Sequence, residues 1–303
     1  MHICLLSMML VPMLSIFPRV DEAEDKAVAV IEKLGGQFLP KERAPGDPVI
    51  YLDLNKPGVT DEDLKALKGL TRLSWLNLDG TQVTDAGLKE IKNLKSLHTL
   101  KLGNTKVTDA GLKELKDLKN LNTLDLGGTE VRNAGLMELK HLTSLRTLYL
   151  DYTRVTGPGL KELNELKNLD SLSIARSLVT DAGLKDLKDL KRLRYLNLGS
   201  SFVTAAGLKD LKELKNLQEL DLGYTHVTDA GLMELKDLNN LQNLDLSGTV
   251  VTNMGLKELK NFKSLQSLRL FDTAVTDAGL KELRDLRTCR TWMSTTPRYR
   301  TPG

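Results

Sequence analysis

Residues 97–118 read Leu97-His98-Thr99-Leu100-Lys101-Leu102-Gly103-Asn104-Thr105-Lys106-Val107-Thr108-Asp109-Ala110-Gly111-Leu112-Lys113-Glu114-Leu115-Lys116-Asp117-Leu118. The same pattern returns every 24 residues between Leu52 and Gly279, with no insertion or deletion: Gly87, Gly111, Gly135, Gly159, Gly183, Gly207, Gly231, Gly255 and Gly279 form one column. A fixed period in this range is the mark of a solenoid, in which each unit stacks only on its neighbours.

Within one unit the apolar spacing changes. Leu100 and Leu102 alternate with Thr99 and Lys101, which predicts a short strand with one buried face. Val107, Leu112, Leu115 and Leu118 follow three to five apart, which predicts a short helix. Thr108 supplies an N-cap hydroxyl, and Asp109 places negative charge at the positive end of the helix dipole. A strand and a helix of this size cannot bury a core alone. Stacked, they give a parallel sheet on one side and a row of helices on the other. Strands sit about 4.8 Å apart and helices need about 10 Å, so the stack curves with the sheet on its concave face.

This pattern resembles the leucine-rich repeat family across about three quarters of the chain. The V-T-D-A-G-L-K-E-L units are similar to those of bacterial members and to the repeats of eukaryotic F-box substrate receptors. The resemblance implies an α/β solenoid, a horseshoe with a concave parallel sheet and convex short helices, that binds protein or peptide. Two departures stand out. Many members carry a buried Asn where this chain has Thr81, Thr105, Thr129, Thr153, Ser177, Ser201, Thr225, Thr249 and Thr273, whose hydroxyls can still bond neighbouring backbone. The cysteine of the F-box variant and an F-box segment are both missing, which argues against a ubiquitin-ligase role.

The 303 residues are 41% apolar, enough for a large continuous core, and only 4% aromatic, as expected where leucine fills the interior. The net charge of +3 arises from 43 basic and 40 acidic residues interspersed along the helix face, a solvated surface and not a nucleic-acid stripe. Cys4 and Cys289 are too few for a disulfide framework. His2, His98, His141 and His226 occupy different columns, and no nucleotide loop, nucleophile motif or metal-ligand cluster appears, so neither an enzyme nor a bound cofactor is expected.

Both ends depart from the repeat. Residues 1–20 include an apolar run, Ile3 to Phe17, whose length suits a signal-peptide h-region better than a membrane span, although the n-region lacks Lys and Arg and no A-x-A site precedes Asp21. Export to a periplasm or cell envelope is the expectation, with an apolar cap or a mistaken start codon in an intracellular protein as the alternative. Residues 21–48 read as an amphipathic helix, with Ala27, Val30, Ile31 and Leu34 on one face, and a proline-containing connector that caps the solenoid. The solenoid itself, about ten repeats, occupies 49–286. Residues 287–303 break the pattern, placing Trp292 and Ser294 where strand leucines belong.

A column that never varies serves stacking, so the acids of T-D-A-G, namely Asp85, Asp109, Asp181, Asp229 and Asp277, are expected to be structural. Information lies in the variable concave columns. Trp75, Tyr149, Tyr152, Tyr195 and Tyr224, with Arg146, Arg176 and Arg194 nearby, offer the aromatic and arginine content favoured at protein interfaces. Glu219, Asp221 and Asp245 form an acidic group that suits a basic partner; further oxygen ligands for a divalent cation are missing. The reading is a monomeric, non-catalytic scaffold that binds an unidentified protein or peptide, with no nucleic acid and no stable membrane span. The alternatives are the recognition module of a larger ligase or hydrolase, and carbohydrate binding at an envelope.

Back-translation of the tail supplies a test of its origin. Trp292-Met293-Ser294 can be coded TGG-ATG-TCN, which read from the third base gives GAT-GTC, Asp-Val. The whole tail shifted this way permits Asn-Leu-Pro-Asn-Leu-Asp-Val-Asn-Asn-Thr-x-Val-Ser-Asp-Ala-Gly, a further unit in register. Resequencing the gene is expected to recover a base near the codons for Leu286 and Arg287; DNA in which no single-base insertion there restores the unit rules out a frameshift.

Overall fold

In the computed structural model, residues 22–42, 47–260 and 262–283 are described, together with the backbone of Thr291–Met293. Twelve short strands form one sheet in strict sequence order. The first, Gln37–Leu39, pairs antiparallel with Tyr51–Asp53, and every later pairing is parallel with a shift of one repeat, as in Leu76↔Leu100 and Leu100↔Leu124. The second face is a row of short helices, several of them a turn of α-helix such as Asp109–Leu112 that runs into a 3-10 turn such as Lys113–Leu115, others α-helical throughout, as in Asp85–Ile91, or 3-10 throughout, as in Gly157–Glu165. The architecture is the expected leucine-rich repeat solenoid. Its core is the stacked Leu columns, for example Leu76, Leu100, Leu124, Leu148, Leu172 and Leu196, all fully buried.

The repeats are clasped by hydrogen bonds as well as by packing. Asp85, first residue of its helix, accepts from the backbone N–H of Thr108 at 2.8 Å and from its hydroxyl at 2.7 Å. Asp61 holds Thr84, Asp181 holds Thr204 and Asp229 holds Thr252 in the same way. Asn133 and Asn253 serve Thr156 and Thr276 with an amide. Thr84 and Thr108 then cap their own helices by accepting from Ala86 and Ala110.

The clasp explains most of the glycine column, because a Cβ on Gly111 would lie against the Asp85 carboxylate, whereas Gly231, opposite Ala205, is closed in by Val227 and Leu208. Where the acid is replaced by Gly157, backbone fills the vacated space, and a Cβ on Gly183 would lie 2.4 Å from the Gly157 Cα. The partner position of Asp277 lies outside the described residues.

The buried hydroxyl column behaves as a substitute for asparagine. Thr81, Thr105 and Ser177 each donate to the carbonyl three residues earlier, at 2.6–2.7 Å. A second ladder, not anticipated from the sequence, runs along the edge leading into the strands. Asn120, Asn168, Asn216 and Asn240 donate to the Lys95, Thr143, Lys191 and Lys215 carbonyls of the preceding repeat at 2.7–2.9 Å.

At the N-terminal side, the helix Glu22–Lys33 packs against the first repeat. Its buried apolar residues are Ala27, Val28 and Ile31, whereas Val30, assigned to that face from spacing, is 36% exposed. Glu24, wholly buried, accepts from the Val49 N–H and pairs with Arg72. The connector contributes an antiparallel edge strand that apolar periodicity did not reveal. The apolar run before Asp21 lies outside the described residues, as does most of the tail; among the described residues no helix is long and apolar enough to cross a membrane.

Asp85→Ala, which removes both bonds to Thr108, is expected to cost about 1–3 kcal/mol in urea unfolding. Asp85→Asn is expected to cost under half as much, because Asn133 and Asn253 already perform the same task.

Candidate binding surface

The concave face is built from the strand residues that flank each buried leucine and from the turn that follows. Where the residue between the two leucines is Asp or Asn, its side chain accepts from the N–H two residues on. This holds for Asp53, Asn77, Asp125, Asn197, Asp221 and Asp245, at 2.8–3.1 Å. Where that residue is Lys101 or Ser173, the orphaned N–H is taken by an acid one repeat earlier: Asp79 accepts from Gly103 and Asp151 from Ala175. One oxygen of Asp221 and one of Asp245 are therefore committed to their own turns.

The next column is unusual in its backbone. Gly80, Asn104, Gly128, Tyr152, Arg176, Ser200, Tyr224, Gly248 and Asp272 all have φ between 52° and 70°. Glycine, Asn and Asp tolerate this left-handed conformation; a bulky residue pays about 1–2 kcal/mol. Tyr152 and Tyr224 stand there 61% and 60% exposed. The Arg176 guanidinium lies over the Tyr152 ring at 5.0 Å. The Tyr224 ring covers Gly248, where any Cβ would strike it at 2.4 Å.

The sequence-nominated residues fall into separate groups along the sheet. Trp75 stacks on Tyr51, with ring centroids 4.0 Å apart, and Lys101 lies over it at 5.7 Å. Tyr51 escaped the sequence reading although it stands 24 residues before Trp75 in the same column. Tyr149 and Tyr195 are half-buried in the middle of the face. Tyr152, Arg176 and Tyr224 line its edge beyond the strand ends. Arg146 is drawn to the opposite edge by Asp170, at 3.2 Å, and Arg194 shares its column, outside the aromatic group. Glu219, Asp221 and Asp245 lie on adjacent strands, with Arg269 paired to Asp245 at 3.3 Å.

Burial sets the electrostatics. Asp79, Asp125 and Asp221 titrate above the ordinary carboxylate value because desolvation outweighs the backbone N–H each accepts. Desolvation, and then the surrounding carboxylates, raises Tyr149 and Tyr195 as well. Among the described residues, no group of His, Cys, Asp and Glu is arranged to hold a metal ion.

Three stretches, residues 93–116, 213–236 and 263–283, match the family model described as Leucine Rich repeat. With the parallel sheet and the unbroken register, they give the chain the fold of a leucine-rich repeat solenoid. Solved structures similar to it include an internalin of Listeria monocytogenes, at 20% identity over 92% of this chain and 98% of that chain, with a TM-score of 0.47. An internalin C2 of the same organism matches at 24% identity over 89% of this chain and 92% of that one, with a TM-score of 0.49. No curated protein matches the chain.

A carboxyl with a raised value binds its proton more tightly in the folded chain than in the unfolded one. Its charged form therefore costs stability at neutral pH, and that cost is absent once pH falls below the unfolded value. Asp125→Asn keeps the acceptor for Gly127 and removes the charge. It is expected to be at least as stable as the wild type at neutral pH in thermal unfolding, with the advantage vanishing toward about pH 3.

Proposed function

We propose that this chain is a non-catalytic scaffold whose concave sheet, from Tyr149 to Asp245, binds a protein or peptide. The supporting observation is the pair Tyr152 and Tyr224: large, exposed and held at positive φ in a column whose other members include Gly80, Gly128 and Gly248. Stacking does not require them, since glycine repeats adopt the same turn. A residue that costs backbone energy and remains mostly in solvent is best explained by a contact made with something else. Tyr149 and Tyr195 extend the same surface inward, and tyrosine buries large area at modest entropic cost. Protein binding is also what the leucine-rich repeat assignment favours. An exported protein, acting at an envelope, is the setting this reading adopts.

The test uses peptides selected from a random phage-displayed library on the wild-type chain. Tyr152→Gly with Tyr224→Gly is expected to weaken the selected peptides by at least about fivefold, roughly 1 kcal/mol. The same variant should hold stability within about 1 kcal/mol of wild type, because relief of the left-handed strain offsets the added chain entropy. Undiminished peptide affinity, or a loss of stability above about 2 kcal/mol, would assign the tyrosines to packing instead.

A further inference from the structure

Asp221 and Asp245 stand side by side on paired strands, with Glu219 one pleat away on the strand of Asp221. They line two depressions at once. One, of about 250 Å³, is bounded by Tyr195, Glu219, Asn243 and Arg269. The other, of about 210 Å³, is bounded by Arg176, Asn197, Tyr224 and Ser247.

Ser247 is only 5% exposed, lines the second depression, and its hydroxyl has no hydrogen-bond partner among the described residues. A buried hydroxyl is normally satisfied, so this one is short of a partner. The guanidinium of Arg269 lies in the first depression against the second oxygen of Asp245, which shows that a planar cation is accommodated on this face. Asp221 and Glu219 have no ion pair of their own among the described residues.

Resting on the concave-face reading above, we propose that the two depressions take a cationic stretch of a partner polypeptide. A Lys or Arg side chain pairs with Asp221 and Glu219 beside the Tyr195 ring, and a polar group of the same segment reaches the Ser247 hydroxyl. Charge complementarity favours this occupant, since carboxylates at the floor of both depressions repel nucleic acid and acidic peptides. A divalent cation fits less well. It takes six or more oxygens, whereas one oxygen of Asp221 and one of Asp245 already hold backbone N–H groups and Arg269 brings positive charge to the site. A tyrosine ring beside the acids adds a face on which a cation is attracted.

Charge can be removed here without disturbing the turn, because Asn77 and Asn197 occupy the same column and accept the same N–H. The probe is a fluorescein-labelled octapeptide of alternating Arg and Ala, with a Glu-Ala octapeptide as control, followed by anisotropy on the full chain at physiological salt. The Arg-Ala peptide is expected to bind and the Glu-Ala peptide not to. Asp221→Asn with Glu219→Gln should weaken binding about fivefold to tenfold, and Ser247→Ala about threefold. Asp125→Asn, which removes one carboxylate from another acidic depression lined also by Asp79, Asp151 and Tyr152, should change it less than about twofold.

Equal losses from Asp125→Asn and from the Asp221/Glu219 pair would reduce the effect to diffuse electrostatics and overturn the proposal. Displacement of the peptide by millimolar calcium at constant ionic strength would replace it with a metal site. Library-selected peptides that depend on Tyr152 and Tyr224 but ignore the Asp221/Glu219 variant would overturn the cationic partner and leave the concave-face reading standing.

Discussion

The carboxylate, or at Asn133 and Asn253 the amide, that opens most of the outer helices is the constraint on which the rest of the fold depends. It reaches one repeat forward and holds both the backbone and the hydroxyl of a threonine, as Asp85 holds Thr108. That threonine in turn caps the helix whose own carboxylate reaches the next repeat. Units that carry the clasp thus set the position of their successors with polar bonds of defined length, where leucine packing alone tolerates sliding. Glycine is required opposite each carboxylate because side-chain volume there would break the clasp. The 24-residue period without insertion is the sequence record of that geometry.

With the pitch fixed, the concave turn repeats the same left-handed residue nine times, and the chain fills that position very unevenly. Glycine, Asn, Ser and Asp meet the conformational demand at modest cost. Tyr152, Arg176 and Tyr224 do not, and they fall in the same middle repeats as Tyr149 and Tyr195. A scaffold whose register is over-determined can hold strained residues at chosen units, because the neighbours on either side keep the turn closed. Strain and exposure together, more than aromatic content, distinguish these tyrosines from Trp75, whose ring is taken by Tyr51.

The strand leucines, the helix, the capping threonine and the structural role of the T-D-A-G acids were all readable from period and column, because each depends on spacing within a unit. What escaped depends on partners one repeat away or on backbone sign. The forward clasp of Asp85 and the Asn120 to Asn240 ladder pair residues about one repeat apart, and the edge strand at Gln37–Leu39 pairs across a connector outside the repeat, none of which apolar periodicity encodes. The left-handed column did leave a trace, since Gly80, Asn104, Gly128, Gly248 and Asp272 are the residue types that tolerate it. Val30 was misplaced because a short helix at the end of a stack offers its packing face to one repeat, and the neighbouring position, Val28, fits that surface.

Variability in a concave column is therefore a weaker guide to function than it first looks. Asp53, Asn77, Asp125, Asn197, Asp221 and Asp245 differ in charge yet perform one backbone task, so selection for the turn accepts either amide or carboxylate. The choice between them then carries information the turn does not need. A buried carboxylate costs more than an amide at the same site, since desolvation disfavours its charge, and the raised values of Asp125 and Asp221 register that cost. Retaining Asp at 221, beside Asp245 and next to a serine hydroxyl without a partner among the described residues, keeps a penalty that Asn would have removed. The most economical account of that retention is a positive charge that arrives from outside the chain.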